Sequence, residues 1–372
     1  MNTITITTKV RIYPTPEQEE SLKKTQKGYV DGCNIVSQWV KDNEELSQKK
    51  INSALYSTIR ETTSLGAQMS QSVIKTVIGT YKTIHSSNKK WSILPEYKKH
   101  RVDLVRGRDY SLLKDKRLSI GTINGRIKIP YTDDPSLPLH DHILGTAKLV
   151  YKHGKWIMHI PITINIDEIS DSDIKNVMGI DVGLRFLATS YDSVGRTKFY
   201  SGKEVKRKRA HYKQLRSDLQ KKNTRSSRKR LKTIGNRENR WMNDVNHQLS
   251  KALVESVGET PTLFVLEDLT GIRSATETVC KKNRYYQVSW AFYQLRSMVE
   301  YKAQKNGHLT IAVDPRNTSR ACPKCGFTSK KNRNNKKHLF TCQSCNYSSN
   351  DDRVGAMNIH NKGIKYLSLI HI

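Results

Sequence analysis

Three groups of residues in this 372-residue chain have the types and spacing for chemistry. The first is a set of carboxylates. Val177-Met178-Gly179-Ile180-Asp181-Val182-Gly183 is a short apolar run that ends in an acid and then a glycine. A run of this length, rich in branched residues and bounded by Gly, reads as a buried strand. A carboxylate at its end must be solvated, paired or bound to a metal, because burying it bare is costly. Thr262-Leu263-Phe264-Val265-Leu266-Glu267-Asp268 repeats the pattern, and Asp351-Asp352 open a final helical segment. Acids at three element ends would repel one another and raise each other's pKa if they met. A hard divalent cation resolves that conflict. Magnesium takes carboxylate and water oxygens and leaves positions for phosphate oxygens. Two such ions about 3.5–4 Å apart activate a water and stabilise the leaving oxygen of a phosphodiester.

The second group is Cys322-Pro323-Lys324-Cys325 and Cys342-Gln343-Ser344-Cys345, a C-x2-C-x16-C-x2-C pattern. That spacing suits a four-thiolate zinc ribbon, and four thiolates leave no open coordination position, so the site is read as structural. Its Lys/Asn-rich loop, with Lys330, Lys331, Arg333, Lys336 and Lys337, is a candidate nucleic-acid contact. His338 is left out of the ligand set because four cysteines already complete it.

The third group is charge. Lys and Arg total 65 against 34 Asp and Glu, a formal +31. A field of that size calls for a polyanion, with nucleic acid ahead of a membrane surface. Residues 203–240 hold 16 Lys and Arg against three acids. Phosphate contacts are expected there from Lys206, Arg207, Lys208, Arg209, Arg225, Arg228, Lys229 and Arg230. The 17 tyrosines spread among the cations suit base or sugar stacking. No apolar run reaches the length of a membrane span, and the alternating N-terminus lacks the layout of a signal peptide. The reading is a soluble, intracellular protein with no membrane partner.

The elements that must position these groups follow from periodicity. Residues 3–13 alternate like a strand. Thr15, Pro16 and Gln18 form a helix start with a capping box, and helical patterns run to about residue 86. Met69, Val73, Val77, Tyr81 and Ile84 recur at helical spacing as a core stripe. From 97 to 166 the chain reads as an antiparallel β-module, with Asn124-Gly125 as a hairpin turn. The first strand is expected to join that module, making the helices an insertion in a barrel-like domain. An acidic linker, 167–175, separates it from the rest.

From 177 onward, setting the cysteine module aside, the order is three strands, helix, strand, helix, strand, helix. Trp241, Val245, Leu249, Leu253 and Val257 give the first helix a core stripe ended by Gly258, and a second amphipathic helix is expected over 286–305. The last helix is expected from 352 to 367. This is the element order of an RNase H-like α/β fold. In it Asp181, Glu267 and the Asp351-Asp352 pair would meet at one sheet edge.

The combination is specific. Lys9-Val10-Arg11-Ile12-Tyr13-Pro14-Thr15, Gly179-Ile180-Asp181-Val182-Gly183, Leu266-Glu267-Asp268-Leu269, Val313-Asp314-Pro315-Arg316-Asn317-Thr318-Ser319-Arg320-Ala321-Cys322, the second cysteine knuckle and Ala356-Met357-Asn358-Ile359 follow one another along nearly the whole chain. In that order they resemble the TnpB (OrfB) family, transposon-encoded RNA-guided DNA nucleases related to type V CRISPR effectors and Fanzor. The resemblance implies a RuvC-like nuclease domain (171–317 and 348–372) with Asp181, Glu267 and Asp352 as catalytic ligands of Mg2+ or Mn2+. It implies an inserted zinc ribbon (318–347) and a wedge β-barrel (1–14 and 97–170) carrying a helical recognition domain (15–96). It further implies a guide RNA from the transposon end, a short target-adjacent motif, cleavage of double-stranded DNA in one site, and a cytoplasmic, nucleoid-associated protein in a prokaryotic host. A catalytically weak or inactive RNA-guided repressor of the same family is the alternative reading. Counting back from Asn358-Ile359 selects Asp352 over Asp351. Two positions depart from the family pattern: Arg353-Val354-Gly355-Ala356 follows Asp352 where the family usually has x-Asn-Ala-Ala, and Asn346 stands where a glycine is usual.

Overall fold

The computed structural model describes residues 2–87, 89, 91–98, 101–132, 139–152, 154–166, 169–268, 292–334 and 337–370. Leu269, Lys336, part of the acidic linker and the expected helix start at 286 lie outside them. The chain divides into two compact units, Thr3–Asn165 and Ile166–Ile372 with Met1–Asn2.

The first unit joins a long strand, three helices and a β-module. Strand β1 (Asn2–Ile12) is followed by α1 (Pro16–Asn43), α2 (Gln48–Thr63) and α3 (Ala67–Ser86). The capping box is present: the Gln18 N–H donates to Thr15 Oγ1 at 3.3 Å, and the Thr15 N–H donates to Gln18 Oε1 at 3.1 Å. Met69, Val73, Val77 and Tyr81 are buried, as the stripe predicts. Strands β2 (Val102–Leu104), β3 (Tyr110–Leu112), β4 (Arg117–Thr122), β5 (Gly125–Thr132), β6 (Ile143–Leu144), β7 (Ala147–Lys152) and β8 (Lys155–Ile166) follow. They form one sheet in the order β2-β7-β8-β1-β5-β4-β3, with β6 on β8. The first strand therefore lies in the middle of the module, and the Asn124-Gly125 turn joins β4 to β5.

The second unit is built on a five-stranded sheet. Strands β9 (Asn176–Asp181), β10 (Phe186–Asp192) and β11 (Thr197–Ser201) form the meander. Helices α4 (Lys203–Lys222), α5 (Arg225–Ile234) and α6 (Arg237–Glu255) precede β12 (Thr262–Glu267). Helix α7 (Phe292–Lys305) precedes β13 (Leu309–Val313), and α8 (Asp351–Ile370) closes the chain. The strand order is β11-β10-β9-β12-β13, with β9, β12 and β13 parallel.

Both faces of this sheet are covered, which is why its central strands read as unbroken apolar runs. Met178, Ile180, Phe264 and Leu266 pack with Leu249 and Leu253 of α6 and Leu295 and Val299 of α7. Val177, Leu263 and Val265 face the other way and pack with Ile359 of α8. Side chains alternate along a strand, so Asp181 follows Val177 and Gly179, and Glu267 follows Leu263 and Val265, onto the α8 face.

Helix α8 sits directly on β9 because residue 179 is a glycine. A Cβ there would lie 2.3 Å from the Ala356 carbonyl oxygen and 2.4 Å from the His360 nitrogen. These are backbone atoms of the helix and cannot turn aside. Gly179→Ala should therefore lift α8 and lower stability by about 3 kcal/mol, the upper end for overpacking. Denaturant unfolding of the full chain measures it.

Candidate active site

The sheet sets two of the acids side by side. Ile180 and Leu266 are partners across the parallel β9–β12 pair, so Asp181 and Glu267 occupy neighbouring strand ends. Gly355, in the first turns of α8, admits the Asp181 carboxylate: a Cβ at 355 would lie 2.8 Å from its Oδ2. The glycine that departs from the family pattern thus lies against the first acid.

The acids share one electrostatic environment. Asp181 is pushed up to about 8, first by burial of its carboxylate, then by the charges of Glu267 and Asp352, with Arg333 opposing. Glu267 is raised by burial, against a hydrogen bond from Thr318 and the charges of Lys362 and Arg333. Asp352 is raised by burial and by its neighbour Asp351, against Arg333, His338 and Arg185.

Asp351 and Asp352 have different surroundings. Asp351 is 1 % exposed; it accepts a hydrogen bond from Arg333 Nε at 2.9 Å and lies 3.7 Å from His338 Nδ1. Asp352 has a buried Oδ2 with no hydrogen-bond partner. A buried carboxylate oxygen without a donor is a vacant acceptor, and it fits a cation better than an empty corner. Asn350 caps α8: its Oδ1 accepts from the N–H groups of Asp352 and Arg353 at 3.0 and 3.1 Å.

Divalent-cation chemistry suits this donor set of hard oxygens, through Asp181, Glu267 and the free oxygen of Asp352. Among the described residues, the groups whose donor atoms all lie within 4.8 Å of one another are the four cysteines and His338–Asp351–Asp352. The three acids are a looser constellation, spread over two strand ends and a helix start.

The cysteines form two matching knuckles. Cys322 and Cys345 place their sulfurs 3.6 Å apart, as do Cys325 and Cys342. The Gly326 N–H donates to the Cys322 carbonyl at 2.9 Å and the Asn346 N–H to the Cys342 carbonyl at 3.1 Å. Gly326 has φ +75° and Asn346 has φ +56°. Asn346 thus takes the left-handed turn that glycine takes in the first knuckle, as asparagine can. Four soft sulfur donors in mutual reach are compatible with structural zinc. The module is joined to the site: strands β14 (Arg333–Asn334), β15 (Leu339–Thr341) and β16 (Ser348–Asn350) run into α8, and Val354 packs with Cys322, Phe340 and Cys342.

The basic segment forms α4 and α5. Lys206, Arg207, Lys208, Arg225, Arg228, Lys229 and Arg230 are exposed. Lys208 lies over the Trp241 ring at 4.5 Å. Arg209 corrects the sequence reading. It is 2 % exposed, and its Nε donates to Glu238 Oε1 at 3.2 Å. Glu238, also bonded by Arg216, pairs with it inside the helical packing, so its guanidinium is not on the exposed basic surface of α4 and α5. Arg333 likewise faces Asp351 in place of the open loop surface the sequence suggested. Thr318 and Asn358 stood in motifs but carried no role; their bonds appear only in three dimensions.

Comparison with known proteins accords with this picture. A family model described as "Probable transposase" matches residues 159–270, and "Cas12f1-like, TNB domain" matches 292–359. "Helix-turn-helix domain" matches 1–26, a stretch that here is β1 and the start of α1. A solved Cas12f1 chain, from a Cas12f1-sgRNA-target DNA complex, superposes with a TM-score of 0.64 and 15% identity, covering 98% of this chain and 100% of that one. The fold is therefore that of the Cas12-type effectors. A TnpB-like protein of Methanocaldococcus jannaschii is 30% identical over 202 residues, 52% of this chain and 71% of the relative. The chain belongs to the TnpB family. A CRISPR-associated endodeoxyribonuclease Cas12f1 of Syntrophomonas palmitatica is 28% identical over 210 residues, 53% of this chain. That match spans 40% of the relative's own length. No described helix is long and apolar enough to cross a membrane.

Two outcomes follow. A carboxyl whose folded pKa lies above its unfolded value holds its proton more tightly when folded. It therefore costs stability as pH rises from about 4 to about 8. Metal-free protein should melt lower at pH 8 than at pH 6, and Asp181→Asn should remove most of that difference in a thermal melt. Cys342→Ser should lower the zinc released on denaturation from about one ion per chain, the count a four-thiolate site holds, towards none. A colorimetric zinc assay reads it.

Proposed function

We propose that this chain is an RNA-guided, divalent-metal-dependent DNA endonuclease. Asp181, Glu267 and Asp352 are its catalytic carboxylates, in a single RuvC-like site of RNase H-like topology. The observation that carries the reading is the electrostatic strain on Asp181 at the end of β9, set between Glu267 at the end of β12 and Asp352 at the start of α8. Asp181 is raised to about 8 by burial and by the other two acids, and Asp352 keeps a buried oxygen without a donor. Like charges in a desolvated corner cost stability unless a cation enters, so this arrangement suits a working site and burdens a purely structural one.

When bound there, Mg2+ or Mn2+ would activate a water and stabilise the leaving 3′ oxygen of an in-line cleavage. The protein's own part is to hold three carboxylates at fixed element ends and to bring a polyanion to them. The exposed cations of α4 and α5 supply phosphate contacts. The zinc ribbon, 318–347, orients the start of α8. Residues 1–14 and 97–170 serve as the wedge barrel, and 15–96 as the recognition helices between them. Base pairing with a guide RNA from the transposon end reads the target, while the protein reads duplex shape and a short adjacent motif. The family membership and the fold shared with a chain solved with sgRNA and target DNA support this division of labour.

The test is cleavage. Protein copurified with its RNA, given matched double-stranded plasmid and Mg2+, should yield linear DNA. Asp181→Asn, Glu267→Gln and Asp352→Asn should each cut at least roughly 10³-fold more slowly while still shifting the target in a gel, as expected when a group acts mainly in the transition state. Wild-type protein that protects the target without cutting it would instead establish the repressor reading.

A further inference from the structure

The turn between β13 and the first cysteine knuckle has a bonding pattern that the acids alone do not explain. Thr318 is 2 % exposed, and its Oγ1 lies 2.6 Å from Glu267 Oε1 and 2.9 Å from the Pro315 carbonyl oxygen. One hydroxyl proton faces two acceptors. The nearer, charged carboxylate takes it, because hydrogen bonds to ionised acceptors are shorter and stronger. The hydroxyl thus selects one orientation of Glu267 and leaves the other carboxylate oxygen for a ligand.

The turn is held from the far side by α8. Asn358 Nδ2 donates to the Thr318 carbonyl at 2.7 Å and to the Ala321 carbonyl at 2.8 Å. One helical turn on, Lys362 Nζ donates to the Asp314 carbonyl at 2.5 Å and the Arg316 carbonyl at 3.0 Å. Residues i and i+4 share a helix face, so one face of α8 satisfies four carbonyls of residues 314–321. The same helix carries Asp352 at its start.

We propose that Thr318 is the positioning residue for Glu267, and that Asn358 clasps the turn so that the second and third acids are set by one helix. This rests on the reading of Glu267 as a cation ligand. Hydrogen-bond partners of ligating carboxylates fix their orientation, and losing one typically weakens metal affinity about 10- to 100-fold. Thr318→Val keeps the shape and removes the donor. Thr318→Ser keeps the donor and removes the methyl.

Mn2+ binding to the zinc-loaded, RNA-free full chain is measured by loss of the free-ion electron paramagnetic resonance signal. The Thr318→Val dissociation constant should rise about 10-fold and that of Thr318→Ser by no more than about twofold, with thermal melting of the metal-free proteins unchanged. Asn358→Ala should weaken Mn2+ binding in the wild-type background and add little to Thr318→Val, since residues acting through one bond are non-additive. Wild-type affinity in Thr318→Val overturns the proposal, as does equal loss in the Ser and Val variants. Additive effects of Asn358→Ala overturn the clasp. Glu267→Gln is the control: if it leaves Mn2+ binding intact, the site reading fails and the proposal fails with it. If Glu267→Gln abolishes binding and Thr318→Val does not, the positioning role alone fails.

Discussion

The second unit depends on one electrostatic conflict held in place by packing. Asp181 and Glu267 end neighbouring parallel strands on the same face, and Asp352 begins the helix that covers that face. Each carboxyl is raised above its usual range by burial. Folding that forces such groups together must be driven by something else, and here it is the apolar covering of both sheet faces. The core supplies the free energy that holds the acids in their desolvated corner.

The contact of α8 with β9 transmits that arrangement. Gly179 lets the helix backbone reach the strand, and Gly355 lets the Asp181 carboxylate reach the helix. Asn350 caps the helix start beside the acids, accepting from the Asp352 and Arg353 N–H groups. Arg333 opposes the rise at all three acids while bonded to Asp351. The cysteine module is therefore more than an appended ribbon. Its last strand leads into the helix cap, its core includes Val354, and its arginine sits among the carboxylates' charges.

Much of this was legible in the sequence. Apolar runs ending in acids marked β9 and β12, because a strand buried on both faces has no polar alternation to hide its ends. The capping box at Thr15, the turn at Asn124-Gly125 and the paired Cys-x-x-Cys knuckles are local signals, each satisfied within a few residues. Asn346 was readable as a left-handed position for the same reason. Arg209 was not. A run of Lys and Arg gives charge but not facing, and only the helical packing shows that Glu238 lies behind that one arginine.

By itself, then, the sequence determined what depends on neighbours in the chain: element types, the chemical nature of the donors, and the strand parity that puts Asp181 and Glu267 on the side they share with Gly179 and Val265. The tertiary structure decided what depends on partners far away in the chain. It buried Asp351 against Arg333, left Asp352 with an open oxygen, gave Thr318 to Glu267, and set the first strand at the middle of an eight-stranded sheet. The physical reason is range. Backbone preference and periodicity act over a turn or two, whereas which polar atom finds a partner is settled only when distant segments exclude water from the space between them.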